Sequence, residues 1–227
     1  MKKKALACWL TLALLALPSL GWAWHDETHI AIAKAAGYYK WFNATGADMA
    51  KIKAGNVESK NHYVNNPPGT VVTPEMVLEQ AALYNKPYDK KGHLYGAIIA
   101  SLREYRTTIR KGKYAEYHLA FCAHYLGDLS MPLHNTLYNA YNKRYHATID
   151  GIINDEVLDH LDRIEIYPIE IKSEEDLARE VARIANQAMK LGYRLEKEGR
   201  LLAKAEAYQQ ISQSASLFKA VLSWLGK

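Results

Sequence analysis

From Trp24 to the C-terminus the apolar residues of this chain recur at three- and four-residue intervals, and the alternation that builds a sheet is nearly absent. That period constrains the fold more than any other feature. A chain so patterned buries an apolar stripe on each helix against its neighbours and has no strands to pair. The expected class is therefore all-α, a single-domain helical bundle. Helices are predicted over about 27–40, from the Thr73-Pro74 cap pair to about Leu83, and from an Asp89 cap to about Arg110. Further helices are predicted over about 114–126, 144–161 and 201–224. Ser173, followed by Glu174, Glu175 and Asp176, opens a strongly amphipathic one that reaches about Lys197. Residues 163–171 read as a short extended piece.

The N-terminus follows a different rule. Lys2, Lys3 and Lys4 precede an apolar run from Ala5 to Leu20, and Gly21 and Ala23 are small. This is the pattern of a secretory signal peptide over residues 1–23, cut before Trp24, and the run is too short and wrongly flanked for a transmembrane anchor. The expected location is secreted or periplasmic, with a domain over 24–227. Losing three lysines takes the formal charge from +5 to +2, so the basic whole-chain balance overstates any affinity for nucleic acid. Only Cys122 remains after cleavage, which excludes an internal disulfide. An exported domain without one relies on packing or on metal.

Metal is where the histidines point. The stretch HYLGDLSMPLH, residues 124–134, carries His124 and Asp128 at i, i+4, which places both on one helix face. Met131 and Pro132 then turn the chain and bring His134 back toward them. In YHATID, His146 and Asp150 repeat the i, i+4 pair, and GNVESKNHY offers Glu58 and His62. His29 lies five residues after Trp24. Any one pair is compatible with a solvated helix face, but several in one small domain favour a metal centre. Imidazole and carboxylate without paired thiols favour zinc. His25, His93, His118, His160 and Cys122 lie off the pattern and read as structural.

These motifs, together with NHYVNN at 61–66, resemble the zinc-dependent phospholipase C family and its relatives, the single-strand-specific zinc nucleases that act as 3′-nucleotidases. The resemblance runs from Trp24 to about Leu161. It implies three zinc ions. One would be held by His29, Asp128 and the free α-amino group and carbonyl of Trp24, so that signal cleavage makes a ligand. The second would take His62, His124, Asp128 and an upstream acid, with Glu58 preferred to Asp48. The third would take His134, His146 and Asp150. It also implies phosphodiester hydrolysis by activated water, with Glu58 as general base.

Substrate is expected to be a phospholipid or head-group phosphodiester, with Glu27 as a candidate contact to a cationic head group. Nucleic acid or a 3′-nucleotide is the alternative, with Tyr38, Tyr39, Tyr63, Tyr138, Tyr141 and Tyr145 as candidate stacking groups. A zinc-binding periplasmic protein without turnover is the non-enzymatic alternative. No stable protein partner is expected.

Overall fold

A computed structural model describes residues 24–227; the expected signal peptide, 1–23, lies outside the described residues. Ten α-helices joined by short 3₁₀ turns make up the described chain, with no strand among the described residues. They are α1 (Asp26–Ala35), α2 (Gly46–Ala54), α3 (Asn56–Ser59), α4 (Pro74–Gln80) and α5 (Leu94–Arg110). Then follow α6 (Glu116–Ser130), α7 (Ala140–Asp150), α8 (Asn154–Val157), α9 (Glu174–Glu198) and α10 (Lys204–Trp224). Among the described residues no helix is long and apolar enough to cross a membrane.

Local chemistry explains most boundaries. Thr73 Oγ1 accepts from Met76 N at 3.3 Å and Pro74 occupies the first turn of α4. At α9, Ser173 Oγ accepts from Asp176 N at 3.1 Å and the Asp176 carboxylate accepts from Ser173 N at 2.9 Å. This reciprocal capping box satisfies two donors the helix would otherwise leave open. Gly199, at φ +63°, closes the same helix in the left-handed conformation.

Several boundaries differ from the expected ones. α1 stops at Ala35, so Tyr38 and Tyr39 fall beyond it. α5 begins at Leu94, because Gly92 at φ +77° breaks the backbone and Asp89 bonds Lys91 N and the His93 ring instead of capping. α6 runs on to Ser130, and α7 is shorter than expected, capped by Asn139 and ended at Gly151. Residues 163–171 form no ladder; Glu165 N and Tyr167 N donate to Ser212 Oγ and Ser216 Oγ, one turn apart on α10.

Two apolar clusters result. The larger joins α4, α5, α6, α9 and α10 through residues such as Leu94, Ile98, Leu126, Val181 and Phe218. The smaller gathers Trp24, Ile32, Met131, Ile149 and Ile211. α6 runs between them, buried at nearly every position from Leu119 to Ser130. A helix this enclosed has nowhere solvated to put polar side chains, so His124 and Asp128 must meet partners inside the protein.

Candidate metal centre

Asp128 is the hub. Its carboxylate is fully buried. His62 Nδ1 lies 2.9 Å from Oδ2, His124 Nε2 3.5 Å from Oδ2, His29 Nε2 3.5 Å from Oδ1 and His134 Nδ1 3.7 Å from Oδ1. Burial alone would raise this carboxyl's pKa, but the imidazoles packed around it, His124 and His134 first and then His29 and His62, hold it well below the carboxylate range. α1 supplies His29, whose ring stacks on His124 with centroids 3.7 Å apart. That approach depends on Gly127: a Cβ there would stand 2.5 Å from His29 Nδ1. The glycine of HYLGD is thus a steric requirement of the centre.

Asp48, buried on α2, faces the same space. Its Oδ1 is 3.7 Å from both His62 Nδ1 and His124 Nε2, and 2.7 Å from Lys51 Nζ one turn on. Glu58 stands on the other side of His62, 3.3 Å from Nε2. Tyr125 and Asn61 donate to its two oxygens at 2.5 and 3.1 Å. Asp48 therefore gathers with two other donors, His29 and His124, whereas Glu58 meets only His62 among the expected ligands. Glu58 supports the outward side of His62. Behind it, Asn61 accepts from His93 Nε2 at 2.9 Å, and His93 Nδ1 lies 3.0 Å from Asp89.

The third group lies where the turn after α6 meets α7. His134 Nε2 is 3.2 Å from His146 Nε2, which is 3.2 Å from Asp150 Oδ2. His134 Nδ1 donates to the His62 carbonyl and His146 Nδ1 to Asn142 Oδ1. Asn142 is itself fixed, donating to the Leu133 carbonyl at 2.8 Å. With both Nδ1 atoms donating, the two facing Nε2 atoms each present a lone pair. His124 is set the same way, Nδ1 donating to the Ala44 carbonyl at 2.8 Å. Such partners are what orient metal-ligating imidazoles.

Titration follows from the geometry. Burial pushes His124 and His146 down to about 3 and His134 to about 4, so all three are neutral at pH 7 with lone pairs available. Burial, with the nearby Asp128 charge, pushes Asp150 well above the usual range. His62 is the exception: burial and Lys51 push it down, but Asp128 and Glu58 together raise it.

The donors fit a cation. Three buried groups could each hold a metal ion: His29 with Asp48 and His124, His62 with His124 and Asp128, and His134 with His146 and Asp150. Both ring nitrogens of His29, Nε2 of His124, Oδ2 of Asp48, Oδ1 of Asp128 and both Asp150 oxygens are buried without a hydrogen bond. Each atom so stranded costs roughly 1–3 kcal/mol, and cations held by these groups would relieve much of that cost.

Of the remaining expected residues, Trp24 is fully buried in the smaller apolar cluster, at the entry to α1 and four residues before Thr28 on that helix. Glu27 is exposed on the first turn of α1, its N–H donating to Asn154 at 3.2 Å. A cavity of about 300 Å³ opens onto His62, His134 and His146, with Lys51, Tyr63 and Tyr138 on its walls. Glu27 does not line it, nor does any carboxylate. Tyr38 is buried in the larger cluster, and Tyr141 and Tyr145 pack on the smaller one. Sequence reasoning passed over Lys51, Asn61, Tyr125 and Asn142. Only Lys51, one turn after Asp48, left a local signal.

Compared with known proteins, the chain matches no family model and no curated protein.

Proposed function

We propose that this chain is an exported zinc-dependent phosphodiester hydrolase of phospholipase C type. The observation that carries the reading is the set of buried, unpartnered imidazole and carboxylate atoms gathered around Asp128, behind His62, His134 and His146, which open onto a cavity. His29, Asp128 and the Trp24 terminus would hold one ion. His62, His124, Asp48 and Asp128 would hold a second, and His134, His146 and Asp150 a third. Zinc held there would supply activation of water near neutral pH and neutralisation of charge on phosphate oxygens.

The chain's own groups do the rest. Asp128 joins two of the donor sets, so their spacing is fixed by one rigid helix. Ala44, Asn142 and Glu58 keep His124, His146 and His62 facing inward. Glu58 is assigned to positioning because its oxygens are engaged by Tyr125 and Asn61, and Asp48 is assigned as the upstream acid. Lys51 sets a positive charge on the cavity wall where an anionic phosphoester enters.

A second reading, single-strand nuclease and 3′-nucleotidase, is favoured by one observation. The cavity wall carries a lysine and two tyrosine rings and no carboxylate to receive a cationic head group. The protein starting at Trp24, loaded with zinc, is to be offered phosphatidylcholine, single-stranded nucleic acid and a 3′-nucleotide. Lipid turnover supports the first reading and nucleotide turnover the second; bound zinc without turnover of any substrate leaves a binding protein. Within that assay Asp48→Asn is expected to lower bound zinc by about one ion. Glu58→Gln should keep the stoichiometry and weaken affinity about 10–100-fold, as loss of a supporting partner does.

A further inference from the structure

Residues 39–60 carry a surface that the metal centre does not use. Phe42, Met49, Ile52 and Val57 are 56, 59, 57 and 38% exposed, a concentration of large apolar side chains in a short stretch. Isolated exposed apolar residues are ordinary, but a cluster marks a contact surface. On α2, Met49, Ile52 and Lys53 lie at i, i+3 and i+4, on one outward face; Ala47 and Asp48 point into the protein. The stretch holds four lysines, at 40, 51, 53 and 60, and two acids, Asp48 and Glu58. Both acids are buried in the metal centre, so the charge this segment turns outward is entirely positive.

An apolar face rimmed by lysines is the composition of a helix that rests in a membrane interface. We infer that the outward face of α2, with Phe42 and Val57 beside it, docks on an anionic lipid surface. Charge complementarity selects this occupant over another protein, since anionic headgroups would meet Lys40, Lys53 and Lys60 while Met49 and Ile52 enter the acyl boundary. The cavity lies on the inner side of the same segment, where Lys51 and Ser59 line its wall. The inference does not depend on the hydrolase reading, because docking is read without turnover.

Co-sedimentation with vesicles tests it, using both the full chain and the form beginning at Trp24, which contains both apolar clusters. The Trp24 form is expected to partition onto phosphatidylglycerol vesicles, weakly onto phosphatidylcholine alone, and to be released by raised salt. Lys53→Glu reverses one charge and should weaken partitioning about 25-fold, taking about fivefold per unit charge. Met49→Asp with Ile52→Asp should abolish it. Both variants change exposed residues only, so zinc content and melting temperature should match the parent. Lys219→Glu, on exposed α10 surface, should bind like the parent. The inference is overturned if the Trp24 form stays in the supernatant with both lipids. It also fails if it binds both equally, or if the α2 variants bind undiminished. A change of oligomeric state in the Met49/Ile52 variant without vesicle binding by the parent would make the face a protein interface instead.

Discussion

Asp128→Asn is the perturbation that most directly tests the metal centre. The exchange keeps the volume and removes the charge at the point where His29, His62, His124 and His134 converge within 2.9–3.7 Å. Asp128 enters two of the three proposed donor sets, so two ions should be lost and the one held by His134, His146 and Asp150 kept. An ion present at a hundredfold above its dissociation constant stabilises the fold by about 2.7 kcal/mol, so three ions contribute about 8 kcal/mol. Losing two removes about 5 kcal/mol, and at about 2–4 °C per kcal/mol for a chain of this size the melting temperature should fall by about 10–20 °C. His146→Ala, which touches one set, should lose one ion and about 5–10 °C by the same conversion. The assay is thermal unfolding followed by circular dichroism, with zinc and with chelator, alongside metal analysis of the dialysed protein. In chelator the Asp128→Asn and parent curves should draw together. A parent whose melting temperature ignores chelator refutes the metal centre. Equal metal content in Asp128→Asn and parent refutes the hub role of Asp128.

Three more expectations follow from particular residues. An extra residue ahead of Trp24 should lower zinc content by about one ion, because the chelating amine becomes an amide; equal content in both forms would remove Trp24 from the ligand set. Gly127→Ala would put a methyl 2.5 Å from His29 Nδ1, and should cost about 1–3 kcal/mol from overpacking and displace the His29 ion, read by melting and metal analysis. The metal-free protein should lose stability in acid. Burial holds His124, His134 and His146 at about 3, 4 and 3, below the unfolded value of about 6.5, so their contribution is complete above pH 6.5 and falls away as the unfolded chain takes up protons. Urea unfolding in chelator between pH 7 and 5 should show stability rising with pH, the three histidines supplying a slope of up to about 4 kcal/mol per pH unit and Asp150 subtracting about 1.4, and a flat profile would refute the buried neutral state. Asp150, raised by burial, works in the opposite direction: its contribution is present below its unfolded value and is lost as pH rises through its folded one.

Much of the architecture was legible because helices obey local rules. Apolar recurrence specified an all-α fold, and the Ser173–Asp176 box and Thr73–Pro74 pair marked helix starts from residues three positions apart or fewer. The i, i+4 pairs His124/Asp128 and His146/Asp150 share a face in any α-helix, so they could be read without knowing what surrounds them. Breaks set by a glycine conformation were less visible. Nothing nearby announces that Gly92 would hold off the start of α5 and Gly151 would end α7 while Gly96, Gly127 and Gly192 stay inside their helices.

What tertiary structure alone decided is which donors meet. The sequence offered both Asp48 and Glu58: separation from His62 suited Asp48, but the Gly55-Asn56-Val57 stretch ahead of Glu58 gave Glu58 the preference. Packing of α2 on α6 instead brings Asp48 to His124 and leaves Glu58 held by Tyr125 behind His62. The carbonyl that orients His124 belongs to Ala44, 80 positions away, and the group that orients His134 is the His62 carbonyl, 72 positions away. Separation along the chain carries no information about such contacts, because they are set by how whole helices stack once their apolar stripes are buried. Residue type and helical period therefore determined the kind of fold and its candidate ligands. The burial of α6 between two apolar clusters decided that those ligands face one another, since a polar side chain on an enclosed helix is stable only where others converge on it.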